Sequence, residues 1–229
     1  MRINPPKIHD KDIKEETIFI SNVEKADMSI EWPYNRDKLI TRIEKMVRNC
    51  YEYRELISFL KEEMNLDHCI LFTNITYDIA SIEFHHEPIR LFDVVDTVLR
   101  KHEVLYGEDN INAFEVANEV MKCHYEARIP LVPVTATVHK LIHSDGLFIP
   151  IQVISQSGFG NWRLFLSLYK PYMSEEFMNR FKDYMNQSNK VIEDYQLPIV
   201  QRRYTYIHVE GMTLPKMIEK PQKKKNIKK

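Results

Sequence analysis

Glycine is scarce in this chain. Only five occur in 229 residues, and no two stand in a G-x-G-x-x-G or G-x-x-x-x-G-K-[ST] frame, which argues against a dinucleotide fold or a P-loop. Long apolar runs are missing as well. The longest, Leu147 to Ile154, falls far short of the roughly 20 residues that span a bilayer, so no membrane partner is expected. Cysteine is limited to Cys50, Cys69 and Cys123. Three widely spaced thiols without a C-x-x-C pair form neither a disulfide framework nor a zinc ribbon and read as buried, reduced side chains. The polar, proline-interrupted start, MRINPPKIHDKDIKEE, does not resemble a secretion signal. The expectation is a soluble, cytoplasmic protein.

What is present is an ordinary globular composition, 44% hydrophobic and 28% charged, long enough for one domain with appendages. The net charge of −1 conceals a division. Residues 216–229 carry seven lysines against one glutamate, +6, and leave the remainder at −7. A lysine-rich end is either a solubilising tail or an electrostatic arm for nucleic acid, with Lys223, Lys224 and Lys225 at its centre.

Along the chain, residues 1–34 read as an irregular arm broken by Pro5, Pro6 and Pro33, and residues 35–196 as a single domain. Residues 197–229 follow as an extended segment with the basic tail. Apolar residues from Leu39 to Met64 keep helical spacing, which predicts one long helix over 35–64 with Asn35 as its cap. The runs CILFT (69–73) and ASIEFH (80–85), separated by a turn-like NITYDI, predict a β-hairpin. Helices are expected over 91–106 and 112–125, parted by GEDN. LVPV is expected to be extended, Thr135 to cap a short helix through His143, and Gly146 to stop it. Residues 147–171 read as strands around a Gly158/Gly160 turn. Ser174 opens another long helix, with glutamates in the first turn where the helix dipole favours them.

The chemistry concentrates in two segments, SIEFHHEPI with Glu83, His85 and His86, and VPVTATVHKLIHSDG with His139 and His143. Adjacent residues on a strand face opposite ways, so one of His85 and His86 can bind a metal while the other turns toward a substrate. His139 and His143, four apart on a helix, share a face and can grip one ion. Three imidazoles suit zinc, manganese, nickel or a similar ion and leave positions open. A neighbouring imidazole that binds no ion is a candidate general base.

Two strands and a short helix, with HH leaving the second strand and H-x-x-x-H on the helix, resemble the HNH (ββα-metal) nucleases. The nuclease domain of DNase colicins is the closest in detail: its E-L-H-H-x-x-P-I and V-x-T-P-x-x-H-x-x-x-H-x-G are similar to EFHHEPI and PVTATVHKLIHSDG here. The resemblance covers about 25 residues. It implies an α+β fold, a ββα-metal core with a two-helix insertion (91–127), flanked by long N- and C-terminal helices. It implies one divalent ion (zinc, magnesium, manganese or nickel) on His85, His139 and His143. His86 would be the general base, Glu83 the carboxylate that orients the site, and hydrolysis of DNA phosphodiesters the activity. The sequence departs from the family in two places. Pro130 stands where an asparagine usually fixes the loop, and 53 residues separate His86 from His139. The alternative reading is an inactive HNH-like binding or structural subunit of a larger assembly, and the surroundings resemble stand-alone phage nucleases more than toxins.

Arg90 and Lys140 lie near enough in sequence to meet phosphate, or are solvated surface charges. Trp162, Phe165, Tyr169 and Tyr172 read as core rather than as base-stacking platforms. His68, His102, His124 and His208 are given no role, and the Cys123–His124 pair has no evident partner. No organic cofactor is expected, and the oligomeric state is not legible.

Overall fold

The computed structural model describes residues 35–194, and side chains to residue 191. The irregular arm, residues 197–229, Lys223, Lys224 and Lys225 lie outside the described residues. The domain is mostly helical, with one two-stranded antiparallel sheet. No helix among the described residues is long and apolar enough to cross a membrane.

The helix expected over 35–64 is two helices, α1 (Arg36–Asn49) and α2 (Tyr51–Glu62). Asn35 caps α1 as anticipated, its side-chain oxygen accepting from Lys38 N–H at 3.0 Å. The break is at Cys50, whose extended backbone (φ −69°, ψ 157°) cannot continue a helix. Its N–H closes α1 on the Met46 carbonyl, and its Sγ accepts from Tyr53 N–H at 3.3 Å to open α2. Apolar periodicity runs through the break because Cys50 is itself fully buried.

The expected hairpin does not form. Strand β1 (Ile82–His85) pairs instead with β2 (Val132–Thr135), with Glu83 opposite Val134 and His85 opposite Val132. Residues 69–75 fold into tight turns closed by a bridge between His68 and Thr76. They bond to the sheet through Ile70 N–H and the Pro133 carbonyl, 2.8 Å, and Cys69 and Ile70 join its apolar cluster. Both runs are rich in β-formers, and a local pattern cannot choose between a near and a distant partner. VPVT is buried at all four positions, so the distant strand offers the larger apolar contact.

Between the strands lie the two helices the sequence anticipated, α3 (Leu91–Tyr106) and α4 (Ala113–Tyr125), the latter capped by Asn112. Thr135 caps α5 (Ala136–His143), its hydroxyl accepting from Val138 N–H at 3.2 Å. The turn after α5 uses Asp145 at φ 56°, with Gly146 N–H bonded to the Leu141 carbonyl.

Residues 147–171 are not strands. They form α6 (Ile151–Ser157) and α7 (Trp162–Tyr169), the latter capped by Asn161. The buried Trp162, Phe165 and Tyr169 follow helical spacing and fill the core. Phe159 instead bridges to Leu131, with two bonds of 2.9 Å that prolong the approach to β2. Gly160 beside it sits at φ +85° with its backbone against Ile129, so close that a Cβ would lie 2.1 Å from the Ile129 carbonyl oxygen. The final helix, α8 (Glu175–Asp194), begins after Ser174.

The largest apolar cluster joins α1, α3, α4, α7 and α8. A second lies beneath the sheet and α5, with Ile82, Val132, Val134 and Val138 against Leu147 and Ile149. A third sets Phe84 and Leu131 on Leu56 and Leu60 of α2. The sheet end that carries the histidines is thereby fixed from two sides.

Candidate metal centre and the buried histidine pair

Alternation along β1 places Glu83 and His85 on one face of the strand and turns His86 to the other. Register with β2 then brings the start of α5 beside β1, because α5 follows β2 without an intervening loop. His85, His139 and His143 converge as a result. Their ring centroids are 4.8, 5.0 and 4.7 Å apart pairwise, and one ring nitrogen of each lies within 4.8 Å of the others.

Two carboxylates hold these rings. Glu83 accepts a hydrogen bond from His139 Nδ1, which leaves Nε2 of that ring for the centre of the group. Glu87 accepts from His85 Nε2 at 3.0 Å, which leaves Nδ1 of His85. A carboxylate behind a metal-binding imidazole fixes its tautomer and raises its basicity. His139 Nε2 and His143 Nε2 lie at hydrogen-bonding distance, 3.0 Å apart. Burial lowers the His143 pKa, and the neighbouring His85 and His139 lower it further, so His143 resists charging and keeps a lone pair for an ion. Three imidazole nitrogens with two buttressing carboxylates fit zinc or a similar borderline ion, and the open side of the group leaves room for further ligands.

The group lies in a cleft of about 580 Å³. Arg90 is exposed and lines it, together with Arg48 from α1. Glu44, Glu87 and Asp145 also line it. Lys140 is exposed on α5 and is not among the lining residues, so the structure separates it from the other candidates.

His86 borders the same cleft but is only 4% exposed. Its Nε2 lies 2.9 Å from Nε2 of His124, on α4. His124 is fully buried, and its Nδ1 is 2.8 Å from the Val120 carbonyl. Tyr53 of α2 closes the pair, stacked on His86 at 6.2 Å and edge-on to His124 at 5.6 Å. Burial pushes the His86 pKa well below its ordinary value, and the adjoining His124 adds to the shift. Burial likewise lowers His124, to about 4. Both rings are neutral near pH 7.

Sequence reasoning missed Arg48, Glu87 and His124. His124 did carry a signal: it is a polar residue on the apolar face of α4, beside Val120, Met121 and Cys123, and a buried polar group requires a partner. Nothing local named His86 as that partner.

No curated protein and no solved structure matches the chain. A sequence model of one family, described as Bacteriophage G278-like virion protein, matches residues 4–220. With nearly its whole length matched, the chain belongs to the Bacteriophage G278-like virion protein family.

Proposed function

We propose that this virion protein carries a metal-dependent nuclease site of the HNH kind, which hydrolyses DNA phosphodiesters. The observation that supports it is the convergence of His85, His139 and His143 within 4.8 Å on a strand–strand–helix unit, with Glu83 holding His139. A divalent ion bound there would supply Lewis-acid stabilisation of a phosphate oxygen and of the leaving oxygen. The chain's own groups do the rest. Arg48 and Arg90 receive the phosphate on the rim of the cleft. His86 takes the proton of the attacking water. Lys223, Lys224 and Lys225 give an acidic body an attractive arm for DNA. Membership of a virion-protein family supports a place in the particle rather than the cytoplasmic location expected from sequence.

The test is nicking of supercoiled plasmid by the full chain in Mg²⁺, Mn²⁺, Ni²⁺ or Zn²⁺, with EDTA and His86→Ala as controls. Ion-dependent nicking that disappears in the variant is the expected result. A second reading has its own support in the family description and in the depth at which His86 is buried: the same three histidines hold a structural ion in a non-catalytic subunit of the particle. Zinc binding that raises Tm, with no cleavage in any ion, selects that reading.

A further inference from the structure

The pair formed by His86 and His124 has its protons ordered by the groups around it. A carbonyl oxygen can only accept, so the 2.8 Å contact with Val120 puts a hydrogen on His124 Nδ1. In a neutral ring this leaves Nε2 of His124 with a lone pair. The 2.9 Å contact between the two Nε2 atoms therefore needs its hydrogen from His86. A neutral His86 protonated on Nε2 has a bare Nδ1, which can only accept. His86 borders the cleft shared with His85, His139 and His143.

We propose that His124 is a positioning residue, which holds His86 in the tautomer protonated on Nε2 and so presents Nδ1 to the cleft as the proton acceptor. The inference rests on the nuclease reading for its purpose, but not for its geometry. When His86 acts, a water proton passes to Nδ1, the Nε2 hydrogen stays in place, and the positive ring is stabilised by the lone pair of His124. Tyr53 packs on both rings, stacked on His86 and edge-on to His124.

Long-range ¹⁵N–¹H correlation spectra of the full-length, metal-free protein near neutral pH read the tautomer directly, with His86→Gln to assign the signals. The expected result is a protonated Nε2 and a bare Nδ1 on His86. His124→Phe keeps a ring in the core but offers no acceptor. The proton of His86 should then redistribute toward Nδ1, and kcat for plasmid nicking should fall roughly ten- to a hundredfold with KM within about twofold. His124→Gln, whose amide oxygen can accept in place of Nε2, should recover most of the loss.

A wild-type His86 protonated on Nδ1 overturns the proposal, even if the variants fail to fold. So does a folded His124→Phe protein with unchanged tautomer and kcat. The predicted spectra without cleavage in any ion would sink the nuclease reading and leave the hold of His124 on His86 established.

Discussion

Glu83 accepts a hydrogen bond from Nδ1 of His139, joining β1 to α5 across 56 positions of sequence. The bond selects which nitrogen of His139 faces the other two rings. Glu83→Gln retains the shape but lowers the basicity of the ring, and should weaken zinc affinity by roughly ten- to a hundredfold. Isothermal titration of zinc into both proteins measures it. Equal affinities would show that Glu83 does not orient the site.

Arg48 and Arg90 should act as a pair and Lys140 as a bystander. A charged contact to phosphate is worth about 1.5–3 kcal/mol, so Arg48→Ala and Arg90→Ala should each raise KM for DNA by about tenfold or more and reduce its salt dependence. Lys140→Ala should leave both unchanged. Steady-state nicking at two salt concentrations distinguishes them.

Stability should fall in acid through Glu119. Burial pushes this carboxyl up, but bonds from His102 (2.9 Å), Lys101 (2.5 Å) and Tyr169 (2.6 Å) outweigh it and hold the group at about 2. A depressed pKa gives stability that is complete above the ordinary value of 4.5 and is lost as pH falls from there toward about 2. The contribution is on the order of 3 kcal/mol. Urea unfolding near neutral pH and at about pH 3 should show a drop that is much smaller in Glu119→Gln. Equal drops would remove Glu119 as its source.

Gly160→Ala should be among the most damaging small substitutions. It places a Cβ at φ +85° and within 2.1 Å of the Ile129 carbonyl oxygen. Moving the 129–131 segment aside would disturb the entry to β2, at a cost of at least about 2 kcal/mol. Thermal unfolding checks it, and a Tm within a degree or two of wild type would contradict the close approach.

The sequence was most legible where one residue does a local job. Asn35 and Thr135 each cap the helix expected of them, because a cap needs only its own side chain and the next turn. The His85, His139 and His143 set was legible through two local spacings and a resemblance. Residues whose role depends on distant neighbours were not. CILFT looked like a strand and lost its partner to VPVT. WRLFLSLY alternated like a strand yet buries Trp162, Phe165 and Tyr169 as a helix. The thiol of Cys50 caps α2 from a buried position that looks like any other apolar residue of the stripe.

The long excursion between β1 and β2 begins at His86 and comes back to it in space, since α4 returns His124 to bonding distance of the residue where the chain first leaves the sheet. An insertion joined to its host only at the two stem ends can be shortened or exchanged like a surface loop. This one is stitched to its own root, and its helices are also the wall on which α1 packs. Trimming α3 and α4 to a short connection would therefore strip the cleft of half its imidazole pair and open the main core in the same stroke.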